Sequence, residues 1–196
     1  MSDVVPLRRA PRSDLTDEAL LGACARGDNL ALQELFERHA DRVYGVLVRT
    51  RYIDTKDLED LVQTTFIEVQ RSAKRFDNRA SVTTWIIGIA LNVMRQYLRS
   101  ERRRRVAIAA AAETPRPSDG KDLHDQVAHR QELARVQRRF EELPAKLRVV
   151  FTLIDLEGMS GVEVAKALNL PEGTVWSRLH EAREQLRRSI GEGAGP

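Results

Sequence analysis

Cysteine, aromatic residues and long apolar runs are all scarce in this chain, and each shortage closes off a class of protein. The single cysteine, Cys24, leaves no intramolecular disulfide framework, and no Cys/His spacing resembles a zinc site. Its place on an apolar helical stripe reads as a small buried thiol rather than a redox switch. Aromatic residues make up 5% of the 196 residues and strand-like alternation is rare, so the expected fold class is all-α. No stretch reaches about eighteen consecutive apolar residues, and no apolar run follows the first arginines. No membrane insertion is expected, and the expected location is cytoplasmic. No metal-ligand cluster and no nucleophile–base constellation emerges, so the reading calls for no metal, no cofactor and no catalysis.

What the chain does have is charge, unevenly placed. Charged residues account for 31% of the sequence, yet the formal net charge is only +3. Between positions 71 and 105, ten Lys or Arg stand against Asp77 and Glu101, a local charge of +8. Such a block points to a polyanionic partner.

Residues 1–14 are polar and proline-containing, and read as a loose tail. Thr16 precedes Asp17 and Glu18 as a helix start, and Gly27 ends that helix. A longer helix over 29–50 places Leu32, Leu35, Phe36, Val43, Val46 and Leu47 on one face. Over 54–70, Leu58, Leu61, Val62, Thr65, Phe66 and Val69 share a side, while Asp57, Glu59, Asp60 and Gln63 lie elsewhere around the helix. That acidic surface is either a solvated face or a seat for a protein with basic residues, since phosphate would repel it.

A polar break at Asp77, Asn78, Arg79, Ala80 and Ser81 precedes a helix expected over 82–105. At 100° per residue, Trp85, Gly88, Asn92, Arg95, Gln96 and Arg99 fall in one stripe. Aromatic faces stack unpaired bases, amides read base edges, and arginines hold phosphates, so the stripe suits a single strand. Each member also has an ordinary reading, Trp85 as core above all. Residues 106–128, with alanines followed by Pro115, Pro117 and Gly120, read as a flexible linker, although the alanines can extend the helix. Helical pattern resumes near Gln126, with Leu133, Val136, Phe140 and Leu143. Pro144 then opens a helix that buries Leu147, Val150, Phe151 and Ile154.

The last third, LEGMSGVEVAKALNLPEGTVWSRLHEAREQLRR, carries two sets of helix boundaries. Ser160 and Glu163 form a capping box, with Val164, Ala165 and Leu168 turned inward. Pro171 breaks that helix, and a second begins at Glu172, Gly173 and Thr174. Its apolar residues Val175, Leu179, Ala182 and Leu186 make a narrow stripe. Trp176, Ser177, Arg178, His180, Glu181, Arg183, Glu184, Arg187 and Arg188 occupy the remaining sides. This pattern fits a helix-turn-helix with its second helix in the major groove, or a plain helical hairpin in a bundle.

Taken in order, Asp57-Leu58-Glu59-Asp60-Leu61-Val62-Gln63-Thr64-Thr65-Phe66, then Arg75-Phe76, then Thr84-Trp85-Ile86-Ile87-Gly88-Ile89-Ala90-Leu91-Asn92, then a linker, Leu143-Pro144 and Gly173-Thr174-Val175-Trp176-Ser177-Arg178-Leu179 resemble a bacterial RNA polymerase sigma factor of the sigma-70 family, extracytoplasmic-function group. The resemblance covers about 15–105 and 132–188. It implies two small helical domains joined by a flexible linker: a region 2 domain over 15–105 and a region 4 domain with the helix-turn-helix over 129–190, followed by a tail at 191–196.

The partners it implies are core RNA polymerase, through the clamp helices of its largest subunit and its flap, promoter DNA, and an anti-sigma factor. Asp57, Asp60, Leu61, Gln63, Thr64 and Phe66 match the polymerase-binding surface, with Leu61 and Phe66 supporting or adjoining it. Asp77, Asn78, Arg79, Ser81, Trp85, Asn92, Arg95, Gln96 and Arg99 match the −10 region, where a flipped base is captured from the non-template strand. Thr174, Trp176, Ser177, Arg178, His180, Glu181 and Arg183 match the −35 reading helix. The chain departs from the family pattern at Thr64, usually glutamate, at Gly161, commonly aromatic, and at Trp176 and Glu181, often basic. The alternative reading is a free-standing helix-turn-helix regulator, which leaves the acidic helix and the Trp85 stripe without a purpose.

Overall fold

The computed structural model describes residues 12–50, 55–111 and 138–191. Helix α1 (Asp17–Cys24) begins where Thr16 Oγ1 accepts the Ala19 N–H at 3.3 Å. It packs on α2 (Asn29–Thr50), and the join is polar as well as apolar: Asp17 pairs with Arg38 at 3.0 Å and with His39 at 2.8 Å. Cys24 lies buried in this contact, and burial, helped by Asp28, pushes its thiol pKa up. That is the setting of an inert thiol.

The inward row of α2 differs from the expected one. Ala31, Leu35, His39, Val43, Val46, Leu47 and Thr50 are buried, whereas Leu32 is half-buried and Phe36 is 37% exposed. The Asp17 carboxylate gives His39 a partner below the surface, which a hydrophobicity pattern does not register. Phe36 instead sits at the α2–α3 border, edge-on to Phe66 with centroids 4.8 Å apart.

Helix α3 (Thr55–Ser72) buries the expected row, Leu58, Leu61, Val62, Thr65, Phe66 and Val69, and the Thr65 hydroxyl donates to the Leu61 carbonyl at 2.7 Å. After a short 3-10 turn (Ala73–Arg75) and the loop 76–81, α4 runs over Val82–Ala111. It outlasts its expected end at Arg105 and takes the first six residues of the expected linker. Alanine has the highest helix propensity, which favours continuing the helix through the run Ala109–Ala111. Of the expected tails at 1–14 and 191–196, residues 12–14 form a short 3-10 turn (Arg12–Asp14) whose Ser13 carbonyl accepts Arg38 Nη2 at 2.8 Å, and Gly191 is the last residue of the final helix. Residues 1–11 and 192–196 and the remaining linker with the onset near Gln126, Leu133 and Val136 lie outside the described residues.

The second group of helices starts with helical residues 138–142, followed by α5 (Ala145–Phe151) with Pro144 at its N-cap. A π-helical turn (Thr152–Leu156) closes with the Glu157 N–H on the Thr152 carbonyl at 2.9 Å. Helix α6 (Gly161–Leu168) has the Ser160/Glu163 capping box and ends in left-handed Asn169 at φ 52°. Helix α7 (Glu172–Gly191) buries Val175, Leu179, Ala182 and Leu186, as its pattern predicts. Leu143, Leu147, Ala182 and Leu186 form a small core of their own under Phe140 and Phe151.

These two groups pack on each other through one continuous apolar core that includes Val150, Leu153, Met159 and Val164. The closest approach is between α4 and α6. A Cβ at Gly88 would lie 3.0 Å from the Ala167 carbonyl oxygen, so the missing side chain lets the helices meet. Ala167 is therefore buried, while Ala165 and Leu168 are only half-buried. Polar ties flank the seam. Thr84 donates to Glu163 at 3.3 Å, Lys166 donates to the Arg79 carbonyl, and Arg49 pairs with Glu157. Arg148, 5% exposed, donates to the Thr50 carbonyl at 3.2 Å and the Leu143 carbonyl at 3.0 Å. No helix of the described residues is long and apolar enough to cross a membrane.

Candidate polymerase and nucleic-acid interface

Three surfaces gather the residues singled out by sequence. On α3, Asp60, Gln63 and Thr64 are exposed at i, i+3 and i+4, one helical face. Leu61 and Phe66 lie beneath it, 5% and 3% exposed, and support the face rather than form it. Asp57 is turned to the side, where it accepts the Tyr97 hydroxyl at 2.8 Å and ties α3 to α4. Sequence reasoning missed Ile67, which is 46% exposed and continues the same face at i+7 from Asp60. The helical period carried that signal, but an isoleucine beside a buried row does not stand out as a surface residue. With Phe36 it adds apolar area to an acidic surface.

The second surface is the loop 76–81 with the first half of α4. Asn78 adopts φ 57°, a left-handed conformation that asparagine tolerates. Asp77 Oδ1 accepts the Arg79 N–H at 3.2 Å, and Asp77 Oδ2 pairs with Arg79 Nε at 3.1 Å. Ser81 caps α4, its Oγ accepting the Thr84 N–H at 3.2 Å. This cap satisfies one of the N–H groups left without a partner at the helix start.

Above it lies a cavity of about 360 Å³, with Asp77, Arg79, Trp85, Gly88 and Asn92 on one wall and Lys166 on the other. Trp85 is half-buried and braced edge-on by Phe76, centroids 5.3 Å apart. Asn92 is exposed and its side-chain oxygen accepts Arg95 Nη2 at 2.6 Å, which leaves the amide NH₂ to donate. Arg95 also donates through Nε to the Leu91 carbonyl at 3.2 Å. Gln96 and Arg99 extend the stripe outward, exposed. The predicted stripe is thus assembled, but α6 lies across its middle at Gly88.

The third surface is α7. Trp176, Ser177, His180 and Glu181 are exposed side by side, with Trp176 48% exposed. Two arginines of the expected set point elsewhere. Arg183 is held by Asp155 in a two-point pair, Nε to Oδ2 at 3.0 Å and Nη2 to Oδ1 at 2.5 Å, which raises its pKa. Arg178 is half-buried at the seam with α4 and α5, and Thr174 is half-buried at the helix start.

Comparison with known proteins identifies the family. Family models match twice: Sigma-70 region 2 over residues 35–104 and Sigma-70, region 4 over residues 133–186. The ECF RNA polymerase sigma-E factor of Haemophilus influenzae is 34% identical over 183 residues, 90% of this chain and 96% of that protein. That of Escherichia coli K12 is 31% identical over 183 residues, covering 90% and 95%. Among solved structures, CnrH in complex with the cytosolic domain of CnrY aligns with TM-score 0.64 and 27% identity over 91% of this chain and 99% of that one. The sigma factor RpoE in complex with the anti-sigma factor NepR, from Bartonella quintana, shares the fold at TM-score 0.62 and 19% identity, over 81% of this chain and 96% of that one. With region 2 on α2–α4 and region 4 on α5–α7, the chain belongs to the extracytoplasmic-function RNA polymerase sigma factors of the sigma-70 family, alternative sigma factors for transcription initiation.

Proposed function

We propose that the exposed face of α3 docks on the clamp helices of core polymerase, that the loop 77–81 and the α4 stripe capture a flipped −10 base, and that α7 reads the −35 duplex. The observation that carries this reading is the cavity shared by the loop, Trp85 and Asn92. Extruding a base costs a few kcal/mol of pairing and stacking, and a pocket with an amide donor and a braced aromatic ring offsets that cost. The chain supplies binding and strand separation, performs no covalent chemistry, and works where polymerase works, in the cytoplasm.

In the closed arrangement α6 occupies the other wall of that cavity, so engaging the −10 strand requires α4 and α6 to part. An anti-sigma factor is the natural antagonist of that step. A second cavity of about 350 Å³ at the seam, lined by Leu91, Met94, Leu98 and Val149 and rimmed by Arg95 and Lys146, fits an apolar segment with acidic flanks.

The test is transcription in vitro with purified core polymerase. The expected result is promoter-specific initiation that falls when Asp60 and Gln63 are replaced together by alanine, with a matching loss of core affinity. Tight operator binding by the chain alone, with no affinity for core, would instead establish the free-standing regulator.

A further inference from the structure

Trp176 occupies a position that is often basic in the family, and Gly161 one that is commonly aromatic. The structure makes these one feature. A Cβ at Gly161 would lie 2.5 Å from Trp176 Cζ2 and 2.8 Å from Cε2, closer than real contacts allow. The indole thus rests on bare backbone at the first turn of α6, and no other residue type at 161 leaves it there. Trp176 Nε1 donates to Glu172 Oε1 at 3.1 Å, one turn back on α7.

Two restraints therefore hold the ring, yet 48% of the residue remains exposed on the side shared with Ser177, His180 and Glu181. The indole has one hydrogen-bond donor and no acceptor, and Glu172 already takes the donor. What faces outward is apolar. Carboxylates at Glu172 and Glu181 on the same helix disfavour a phosphate beside the ring, which leaves the groove floor. There the one apolar group on a paired base is the thymine 5-methyl.

Resting on the assignment of α7 to the −35 duplex, we propose that Trp176 is a specificity-determining residue that reads a thymine methyl in the major groove, with Gly161 and Glu172 as its positioning residues. Basic residues at this position would add affinity without regard to base. Trp176 gives up that affinity for selectivity.

The experiment uses holoenzyme assembled from core polymerase and the full chain. A −35 sequence is first selected from a random duplex pool, and each thymine in it is then replaced by deoxyuridine, which removes only the methyl group. One replacement is expected to weaken binding about fourfold, the value of one buried methyl. Trp176→Ala should bind the thymine and deoxyuridine duplexes equally, with core affinity unchanged. Gly161→Ala should lower methyl discrimination in the wild-type background and change nothing in the Trp176→Ala background, a coupling that a purely structural defect at α6 would not show.

A motif without thymine, or one whose thymines all tolerate deoxyuridine, overturns the role of Trp176 and leaves α7 as the −35 reader. Methyl discrimination that survives Trp176→Ala does the same. A pool that returns no upstream motif overturns both this role and the assignment of α7.

Discussion

The two surfaces proposed to meet DNA differ in access. On α7 the outward residues Trp176, Ser177, His180 and Glu181 are exposed, while the α4 stripe is crossed at Gly88 by α6. The same two-helix unit thus does opposite things with its two helices: α7 presents a surface and α6 covers one. Duplex reading needs only a helix face that is left free, whereas capture of a single base needs a cavity whose far wall, in this conformation, belongs to the other half of the molecule. On the proposed assignment, the closed state therefore restrains strand capture far more than duplex reading. The restraint is built mainly from close packing, with a few polar ties beside it.

The most direct way to break this contrast is Gly88→Leu. Leucine favours an isolated helix over glycine by somewhat less than the ~0.8–1 kcal/mol that separates glycine from alanine, so α4 itself gains from the change. The seam cannot accept it, because the space beyond Gly88 is filled by the Ala167 backbone, 3.0–3.4 Å from the would-be Cβ. Overpacking of this kind costs about 1–3 kcal/mol. The expected outcome is separation of the two halves, read as a larger radius of gyration in small-angle X-ray scattering of the free chain. Unchanged scattering would show that the seam does not govern the closed form.

Asn92→Ala sharpens the contrast from the other side. A well-placed amide contact to a base edge is worth about 1–3 kcal/mol, so promoter opening should fall by roughly fivefold to 150-fold. Core binding and −35 selectivity should hold, since α3 and α7 are untouched. Fluorescence of 2-aminopurine in the −10 strand reads opening, and equal losses in opening and core affinity would remove Asn92 from the capture site.

How far these surfaces were legible in the sequence follows from the kind of force that builds them. The buried rows of α3 and α7 match the helical period position by position, because one-sided apolar burial is what that period encodes. The Ser160–Glu163 box was readable because it is local, spanning one turn. The α2 row was partly misread, since His39 owes its burial to Asp17, 22 positions away. Ile67 was not singled out because the period does not say which of two adjacent rows a neighbouring helix covers. The dependence of Trp176 on Gly161 was invisible as a contact: the sequence showed two departures from a family pattern, and only the structure placed one against the other. Nor does any periodicity reveal that Arg183 is committed to Asp155, as ion pairs across a turn leave no repeat.

The smallest of these effects tests whether polar ties contribute to the contrast at all. The Glu163 carboxylate accepts the Ser160 N–H at 2.9 Å and its hydroxyl at 2.8 Å, and it also receives Thr84 from α4 at 3.3 Å. The Ser160 backbone first, then its hydroxyl, hold the Glu163 pKa below the ordinary glutamate range, and Thr84 and the Arg42 charge act in the same direction. A folded-state pKa below the unfolded one means that the carboxylate's stabilisation is fully present above the ordinary glutamate value, about 4.3, and is lost as pH falls through the folded value. Glu163→Ala should therefore cost about 1 kcal/mol at neutral pH, the scale of a helix cap, and progressively less in acid. Urea melts of the two proteins should converge as pH drops. Curves that stay parallel into acid would mean that the charge at Glu163 holds neither the α6 cap nor its tie to α4, leaving the closed state to Gly88, the apolar seam and the ties at Arg49, Arg148 and Lys166.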